Sequence, residues 1–125
     1  MTKFTFTTIN RKKTVFSINE IPWNDLHSIN DEPALIYPDS SEFWYNKGLI
    51  HRKNKPAIIG ASGTKYYFKN SQLHNLNGPA IIYSSKFEYW INGIHYNNFK
   101  HFMDNHPNQD RIFKSHLKLL NKKYI

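Results

Sequence analysis

Histidines recur through the middle of this 125-residue chain at a regular interval. His51 and His74 are 23 residues apart, and His95 comes two residues before the next multiple of that interval. On the other side, His27 is one residue out of register. Equivalent residues on stacked hairpins lie two strand spacings apart, about 10 Å, which is too far for two imidazoles to bind one metal ion. The interval therefore predicts a linker hydrogen bond for His51 and for His74.

Other side chains capable of chemistry do not assemble into a recognisable site. His101, Asp104 and His106 lie close together. Pro107 ends the predicted helix there and no further strong ligand follows, so we expect no metal site. The nine carboxylates are scattered and cysteine is absent. The chain has no zinc-protease motif, no nucleophile elbow and no complete phosphate-binding loop. These observations predict a protein without cofactors that is not an enzyme.

The same interval runs through other residues and predicts a repeated fold. Pro-Ala begins at Pro33, Pro56 and Pro79, and each copy then holds two runs rich in branched and aromatic residues, which favour strands. In the first copy these runs are "ALIY" and "EFWYN", separated by the turn-forming "PDSS". Further turns are expected after the second run of the three copies, at "NKG", "KNS" and "NG". We predict a mainly β fold, an extended antiparallel sheet of stacked 23-residue β-hairpin repeats with one or two C-terminal α-helices capping it.

The two ends depart from the repeat but belong to the same predicted domain. Residues 1–25 contain "KFTFTTI" and "TVFSI", which predict an N-terminal hairpin. Its turn is expected at "NRKK", so that Arg11, Lys12 and Lys13 lie at the tip. Residues 26–96 hold the hairpin repeats. In residues 97–125, Asn97 or Asn98 is the expected cap of a first helix. An amphipathic second helix follows and is expected to cover the open end of the sheet.

Alternation along the second run of each copy assigns its residues to two faces of the sheet. Phe43, Tyr45 and their counterparts are apolar or aromatic and are expected to form the core. The opposite face has an aromatic residue between polar or charged neighbours in every copy, a pattern that is typical of binding surfaces. The alternative is that terminal elements cover this row. The predicted partner-binding residues are Trp44, Tyr67, Trp90, Glu42, Lys65 and Glu88.

The net charge of +8 is concentrated at the two ends of the chain. Residues 1–20 carry +3 and residues 100–125 carry +4, whereas the repeats between them are nearly neutral. Basic ends and exposed aromatics could contact phosphates and stack on bases, which makes nucleic-acid binding the alternative function. Its candidate residues are Arg11, Lys12, Lys13, Arg111, Lys114, Lys118 and Lys122.

The order of aromatic strand, turn, histidine, polar linker and Pro-Ala resembles MORN-like repeats. It is carried by "FWYNKGLIHRKNKPA", "YYFKNSQLHNLNGPA" and "YWINGIHYNNFKHF", within about residues 26–103. The resemblance is closer to a His-Arg/Gly-Pro-Ala variant seen in uncharacterised phage, giant-virus and bacterial proteins. Repeats of this type serve as protein-docking surfaces and are not enzymes by themselves, so the resemblance implies a protein-binding module.

We therefore expect a protein partner, and the resemblance implies a phage or viral accessory protein that modulates or inhibits a host or defence protein. The start "MTKFTFTTIN" has no long apolar run, and no segment reaches the length of a membrane span. We expect a cytoplasmic protein (in the host cytoplasm if phage-encoded) with no membrane partner. An open sheet also leaves an edge strand through which two copies could dimerise.

Overall fold

Short strands are the main regular secondary structure of the described chain, which is residues 2–105 of a computed structural model. The helical elements are two 3-10 turns, Ile18–Glu20 and Trp23–Asp25, and one α-helix, α1 (Phe99–Asp104). The strands are β1 (Phe4–Thr7), β2 (Lys12–Val15), β3 (Leu35–Ile36), β4 (Glu42–Phe43), β5 (Tyr45–Asn46), β6 (Leu49–Ile50), β7 (Ile58–Ile59), β8 (Lys65–Tyr66), β9 (Phe68–Lys69), β10 (Gln72–Leu73), β11 (Ile81–Ile82), β12 (Phe87–Ile91) and β13 (Ile94–Tyr96).

Nine of these strands form one sheet, in the order β13-β12-β11-β8-β7-β4-β3-β1-β2. The pairings within it are antiparallel. Strands that follow one another in the chain are mostly neighbours in the sheet, because each hairpin leads directly into the next. The predicted mainly β fold with an extended antiparallel sheet is confirmed.

In the first and second copies, the second run bends at its central aromatic residue and forms two separate strands. In the first copy β4 ends at Phe43 and β5 begins at Tyr45. Between them, the amide of Trp44 donates to the carbonyl of Ala57 (2.8 Å). After the bend, β5 pairs with β6 in a two-stranded sheet, and β9 pairs with β10 in the same way. Each of these copies therefore contributes two hairpins that share a bent strand, where the sequence predicted one continuous strand.

Two-residue turns close the hairpins beyond the bend. Their central residues are 47–48, 70–71 and 92–93, all with φ between 48° and 84°. Two successive positive φ values are typical of the type I′ turn, whose twist matches that of the flanking strands. Asparagine and glycine occupy most of these positions because they tolerate the left-handed region. The turns predicted at "NKG", "KNS" and "NG" are confirmed.

The third copy is shifted by one residue relative to the sequence alignment. In its first turn, two residues, 84 and 85, lie between Tyr83 and Lys86, which are joined by a backbone hydrogen bond. The corresponding turns of the two earlier copies contain three residues. As a result, the amide of Ala80 bonds to the carbonyl of Glu88 (2.8 Å). Phe43 and Tyr66 hold the corresponding place in the first and second copies.

This shift changes which aromatic residue holds the position of Trp44 and Tyr67, although β12 continues through this position without a break. Tyr89 takes the position that Trp44 and Tyr67 have in the earlier copies. Trp90 lies one residue further and pairs with His95 across the next hairpin. A shift of one residue moves every side chain of a strand to the opposite face, so the predicted alignment of Trp90 with Trp44 and Tyr67 is wrong.

The N-terminal hairpin continues the hydrogen-bond pattern of the repeat. The amide of Thr7 donates to the carbonyl of Ala34 (2.8 Å), as the amide of Trp44 does to the alanine of the following copy. The amide of His27 donates to Thr7 (3.0 Å), as that of His51 does to Trp44 (3.0 Å). The repeat pattern therefore begins at β1, although the sequence placed its start at residue 26.

The tip of the N-terminal hairpin lies earlier in the chain than predicted. The amide of Thr8 donates to the carbonyl of Arg11 (2.8 Å), which closes a turn over residues 8–11. Lys12 and Lys13 belong to β2, where they face Thr7 and Phe6 across the ladder with β1. The prediction that all three cations lie at the tip is wrong for the two lysines.

The apolar residues are buried in two clusters at opposite ends of the array. The first includes Phe6, Leu26 and Leu35, each at most 1% exposed. The second is built around Tyr89 on β12 and Phe102 on α1. The rings of these two residues are 5.0 Å apart between centroids, so the helix covers the end of the sheet as predicted.

Helix α1 begins after Asn98, one of the two predicted caps. The side-chain oxygen of Asn98 accepts a hydrogen bond from the amide of His101 (2.9 Å), which satisfies one of the amides that a helix start leaves unpaired. The predicted second helix, over residues 108–125, lies outside the described residues. Within residues 2–105, no helix has both the length and the apolar character needed to cross a bilayer.

Candidate functional site

Trp44, the first residue of the predicted aromatic row, is buried. Its side chain is 4% exposed. The indole Nε1 donates to the carbonyl of Asp31 (2.9 Å), and the guanidinium of Arg52 lies 3.9 Å from the ring centroid. The linkers before and after the strand therefore close over the indole. The expectation of a half-exposed Trp44 is wrong, because these linkers, rather than a terminal hairpin or helix, provide the cover.

The other two aromatics of the row are half-buried and have different surroundings. Trp90 stacks on His95 with ring centroids 4.6 Å apart, and its Nε1 donates to Glu88 (3.2 Å). Tyr67 lies at the bend of the second copy and lines a cleft between two linkers. The structure thus does not bring Trp44, Tyr67 and Trp90 together as one binding face.

The charged residues predicted beside the row are also dispersed. Glu88 accepts hydrogen bonds from the hydroxyl of Tyr83 (2.9 Å) and from Trp90, so its carboxylate is engaged within the protein. Glu42 is half-buried in β4, which pairs with β3 and β7. Lys65 is exposed on β8. These residues do not form a shared site with the buried Trp44.

The described basic residues of the nucleic-acid alternative lie on the N-terminal hairpin. Arg11, Lys12 and Lys13 are exposed, and β2 is an edge strand of the nine-stranded sheet. Lysines on an edge strand oppose pairing with another strand, and dimerisation through this edge stays a prediction. The remaining candidates, Arg111, Lys114, Lys118 and Lys122, lie outside the described residues.

Three histidines accept the same hydrogen bond from the turn of the following hairpin. The Nδ1 atoms of His27, His51 and His74 accept from the first amide of that turn at 3.0, 3.2 and 2.9 Å. Because Nδ1 is the acceptor, the neutral ring carries its proton on Nε2. The predicted linker hydrogen bond is confirmed and ties each linker to the next copy. His95 does not share this role, since it stacks on Trp90 instead.

Two successive linkers enclose a cleft with a volume of about 400 Å³. Residues 51–54 form one side and residues 74–77 the other. Between them the second copy contributes Tyr67 and Phe68, and Leu76 adds an aliphatic side chain that is 39% exposed. Pockets that bind ligands are typically concave, partly apolar and roughly 300–1,000 Å³ in volume. The cleft is therefore the candidate functional site.

The cations and imidazoles that line the cleft are hydrogen-bond donors. Lys53 and Lys69 are exposed, and neither forms a salt bridge within residues 2–105. His51 and His74 contribute rings whose Nδ1 is occupied and whose Nε2–H is a donor. The described lining contains no aspartate and no glutamate. The cleft is consequently positive and suited to an anionic group.

Hydrogen bonds from Arg52 stabilise the linker on one side of the cleft. Its Nε and Nη2 donate to the carboxylate of Asp31 at 2.9 and 3.1 Å, and its Nη1 donates to the carbonyl of Pro56 (3.1 Å). Hydrogen bonds from Arg52 and Lys55 lower the pKa of Asp31 to about 2. The charge of Arg52 is thus already paired, and its structural role is to fix the linker over Trp44.

In the second linker, Asn75 makes the hydrogen bond that corresponds to the one from Arg52 to Pro56. Its Nδ2 donates to the carbonyl of Pro79 (2.9 Å), and its Oδ1 accepts from the amide of Asn77 (2.9 Å). Arg52 and Asn75 therefore differ in charge but make equivalent bonds to a proline carbonyl. Both sides of the cleft are held by side-chain hydrogen bonds, so its shape is formed before any ligand binds.

The burial of His74 predicts that stability depends on pH. Burial, and then the charge of Lys69, lower the pKa of His74 below its ordinary value of 6.5. As the pH falls through 6.5, the unfolded chain takes up a proton that the folded chain resists, so stability is present above 6.5 and is lost below it. We expect His74→Asn, which retains an acceptor near the amide of Asn92 but cannot titrate, to lose less stability on acidification. Urea unfolding on both sides of this pH compares the two proteins, and equal losses would contradict the assignment.

Neither a metal-ligand cluster nor a likeness to a known protein assigns the cleft a ligand. Among residues 2–105, no group of three or more histidine, aspartate or glutamate side chains could hold a metal ion. The protein-family models, curated proteins and solved structures that were compared with the chain yielded no match.

The sequence did not predict this cleft. It identified His51 and His74 as linker residues, but Lys53, Lys69 and Leu76 follow no pattern that distinguishes them from surface residues. The available signal was the recurrence of a histidine followed by a polar linker. The depth of the cleft depends on how two linkers stand beside the bent strand, which is a property of the assembled sheet.

Proposed function

We propose that this protein is a non-enzymatic module that binds a protein partner, and that the cleft between the two linkers is its docking site. The observation that carries the proposal is the 400 Å³ cleft, which combines Tyr67, Phe68 and Leu76 with exposed lysines. Binding surfaces in proteins commonly place apolar anchors inside a polar rim. The hydrogen bonds of Arg52 and Asn75 support this role, because a preformed site loses less entropy on binding.

A docking role fits the chemistry of the cleft better than catalysis does. His51 and His74 use Nδ1 to hold a backbone amide, which leaves them as donors rather than general bases. The described lining offers no carboxylate to orient or assist an imidazole. The residues of the cleft are therefore suited to holding a ligand and not to transforming it.

The resemblance to MORN-like repeats supports the same proposal. On that basis we propose an accessory protein of phage or viral origin that works in the host cytoplasm and modulates or inhibits a host or defence protein. In support, equivalent backbone hydrogen bonds recur from the N-terminal hairpin to the third copy. Nucleic-acid binding through the exposed Arg11, Lys12 and Lys13 is the alternative.

A charge placed in the cleft should abolish partner binding. Leu76→Asp introduces a carboxylate beside Tyr67 and Phe68, where burying it against a partner is unfavourable. The control is Ile94→Asp, at a more exposed position (61%) on β13 outside the cleft. We expect nuclease-treated pull-downs from host lysate at low salt to retain a stoichiometric protein with wild type and Ile94→Asp but to lose it with Leu76→Asp.

Two results would contradict the proposal. Equal retention by Leu76→Asp and Ile94→Asp would place the interface outside the cleft. Loss of all bound material from the wild type after nuclease treatment at low salt would favour the nucleic-acid alternative, because nuclease removes nucleic acid and leaves a directly bound protein in place. Far-UV circular dichroism of both variants checks that they remain folded.

A further inference from the structure

We infer that the cleft recognises an acidic peptide segment, in which carboxylate side chains flank an apolar one, on the surface of the partner protein. This inference rests on the proposed docking function and deepens it by stating the chemistry of the ligand. The charges, the hydrogen-bond donors and the apolar surface of the cleft support the inference.

The charge of the cleft is not balanced within the described chain. Asp31, the acidic residue closest to these linkers in the hydrogen-bond network, is already bound by Arg52 and Lys55. Lys53 and Lys69 have no salt bridge among residues 2–105. The two ammonium groups in the lining would each gain a partner from a carboxylate-bearing ligand.

The imidazoles extend this donor set. The Nδ1 atoms of His51 and His74 are committed to backbone amides, so each Nε2 carries a proton and is a donor. No hydrogen bond from either Nε2 occurs within the described residues. A carboxylate is an acceptor with up to four lone-pair sites and can use ammonium and imidazole donors together.

The apolar part of the cleft selects for a peptide over a simple anion. Tyr67 and Phe68 are half-buried, and Leu76 presents an exposed aliphatic group. Inorganic phosphate would accept hydrogen bonds from the donors but would leave the apolar surface exposed to water. A peptide with an apolar side chain between acidic ones would cover the surface and satisfy the donors, and burial of such a side chain is favourable.

The number of cations favours a peptide over a nucleic acid. A protein that makes roughly 6–10 phosphate contacts gains its affinity from a comparable number of cations, whereas the cleft offers two lysines, Lys53 and Lys69, that have no salt bridge within residues 2–105. The exposed cations of the N-terminal hairpin line no part of the cleft. Two carboxylates separated by an apolar residue match the two lysines more closely than a phosphate backbone does.

The experiment uses the full chain and a defined probe. The probe is a short fluorescein-labelled peptide in which aspartate and glutamate flank a leucine, and its binding is followed by fluorescence anisotropy. A peptide with asparagine and glutamine at the same places is the uncharged comparison, and labelled oligothymidylate is the nucleic-acid comparison. The test variant is Lys53→Gln with Lys69→Gln, and the control of equal charge change is Lys12→Gln with Lys13→Gln.

We expect the acidic peptide to bind the wild type and the uncharged peptide to bind at least about tenfold more weakly, since each lost charged hydrogen bond contributes measurably. The cleft variant should lose about tenfold in affinity for the acidic peptide. The control variant should lose less than about twofold, because a distant exposed charge is screened. Equal losses by both variants, or tighter binding of oligothymidylate than of the acidic peptide, would overturn the inference.

The two proposals fail in different ways. If the acidic peptide does not bind, but Leu76→Asp still releases a specific protein in the pull-down, the ligand chemistry is wrong and the docking function stands. If Leu76→Asp and Ile94→Asp retain the same partner while the peptide binds through Lys53 and Lys69, the cleft is a peptide site that the main partner does not use.

Discussion

Replacing Gly48 by alanine is expected to lower the free energy of unfolding by about 3 kcal/mol. Gly48 has φ +84°, where an L-residue is strained. A Cβ at this position would lie 2.6 Å from the carbonyl oxygen of Asn24 and 3.0 Å from its Cα and carbonyl carbon. These are backbone atoms, and the neighbouring Leu26 is completely buried, so the close contact is not relieved by rotating a side chain.

The matched control is Gly93→Ala, at the equivalent turn of the third copy. Gly93 has a similar φ of +79°, but the nearest atoms to its added Cβ belong to the side chain of Gln72, at 3.6 Å. Only the conformational cost remains there, about 1 kcal/mol. Ser71 has φ 65° at the corresponding position of the second copy, which indicates that the turn accepts a side chain where space allows.

Urea unfolding followed by circular dichroism measures both glycine variants. A small domain has about 5–15 kcal/mol of stability in total, so the loss expected for Gly48→Ala is a large part of it. Similar losses for Gly48→Ala and Gly93→Ala would show that the approach of the first turn to Asn24 is looser in solution, and would weaken the account of how the N-terminal segment packs on the first copy.

Replacing Trp44 by alanine is expected to cost about 3–5 kcal/mol, as for other large residues removed from a core. The indole is 4% exposed, and its removal leaves the carbonyl of Asp31 without its donor and the guanidinium of Arg52 without the ring beneath it. The variant therefore tests the fold, and it is unsuitable as a probe of partner binding.

Trp23→Ala is the control for this substitution, because Trp23 is 40% exposed. We expect it to cost less than about 1 kcal/mol, as for surface positions in general. Thermal and urea unfolding of the two variants gives the comparison. A small effect of Trp44→Ala would mean that the indole faces solvent, which would restore the predicted aromatic face at this position.

The sequence predicted those features that depend on neighbouring residues. These features are the 23-residue interval, the strand-forming runs and the Asn-Gly type turns. Each is local and recurs in every copy, so the three copies support the same prediction. The start of α1 was predictable for the same reason, because capping by Asn98 involves residues within one helical turn.

The third copy shows where local reasoning failed. Alignment by the aromatic residues matched Trp90 to Trp44, whereas one residue fewer in the turn at 84–85 puts Tyr89 there. The number of residues between two strands was visible in the sequence. The pairing of Ile81 with Glu88 decided that Tyr89, and not Trp90, takes the position equivalent to Trp44.

The sequence by itself therefore determined that this protein is a repeated antiparallel β structure with a helix after the last hairpin. Only the tertiary structure decided that Trp44 is covered, that β1 supplies the first strand of the array and that two linkers form a cleft. The physical reason is that burial depends on segments distant in the chain. Asp31 and Arg52 are 21 residues apart, yet they meet over one indole once the sheet has formed.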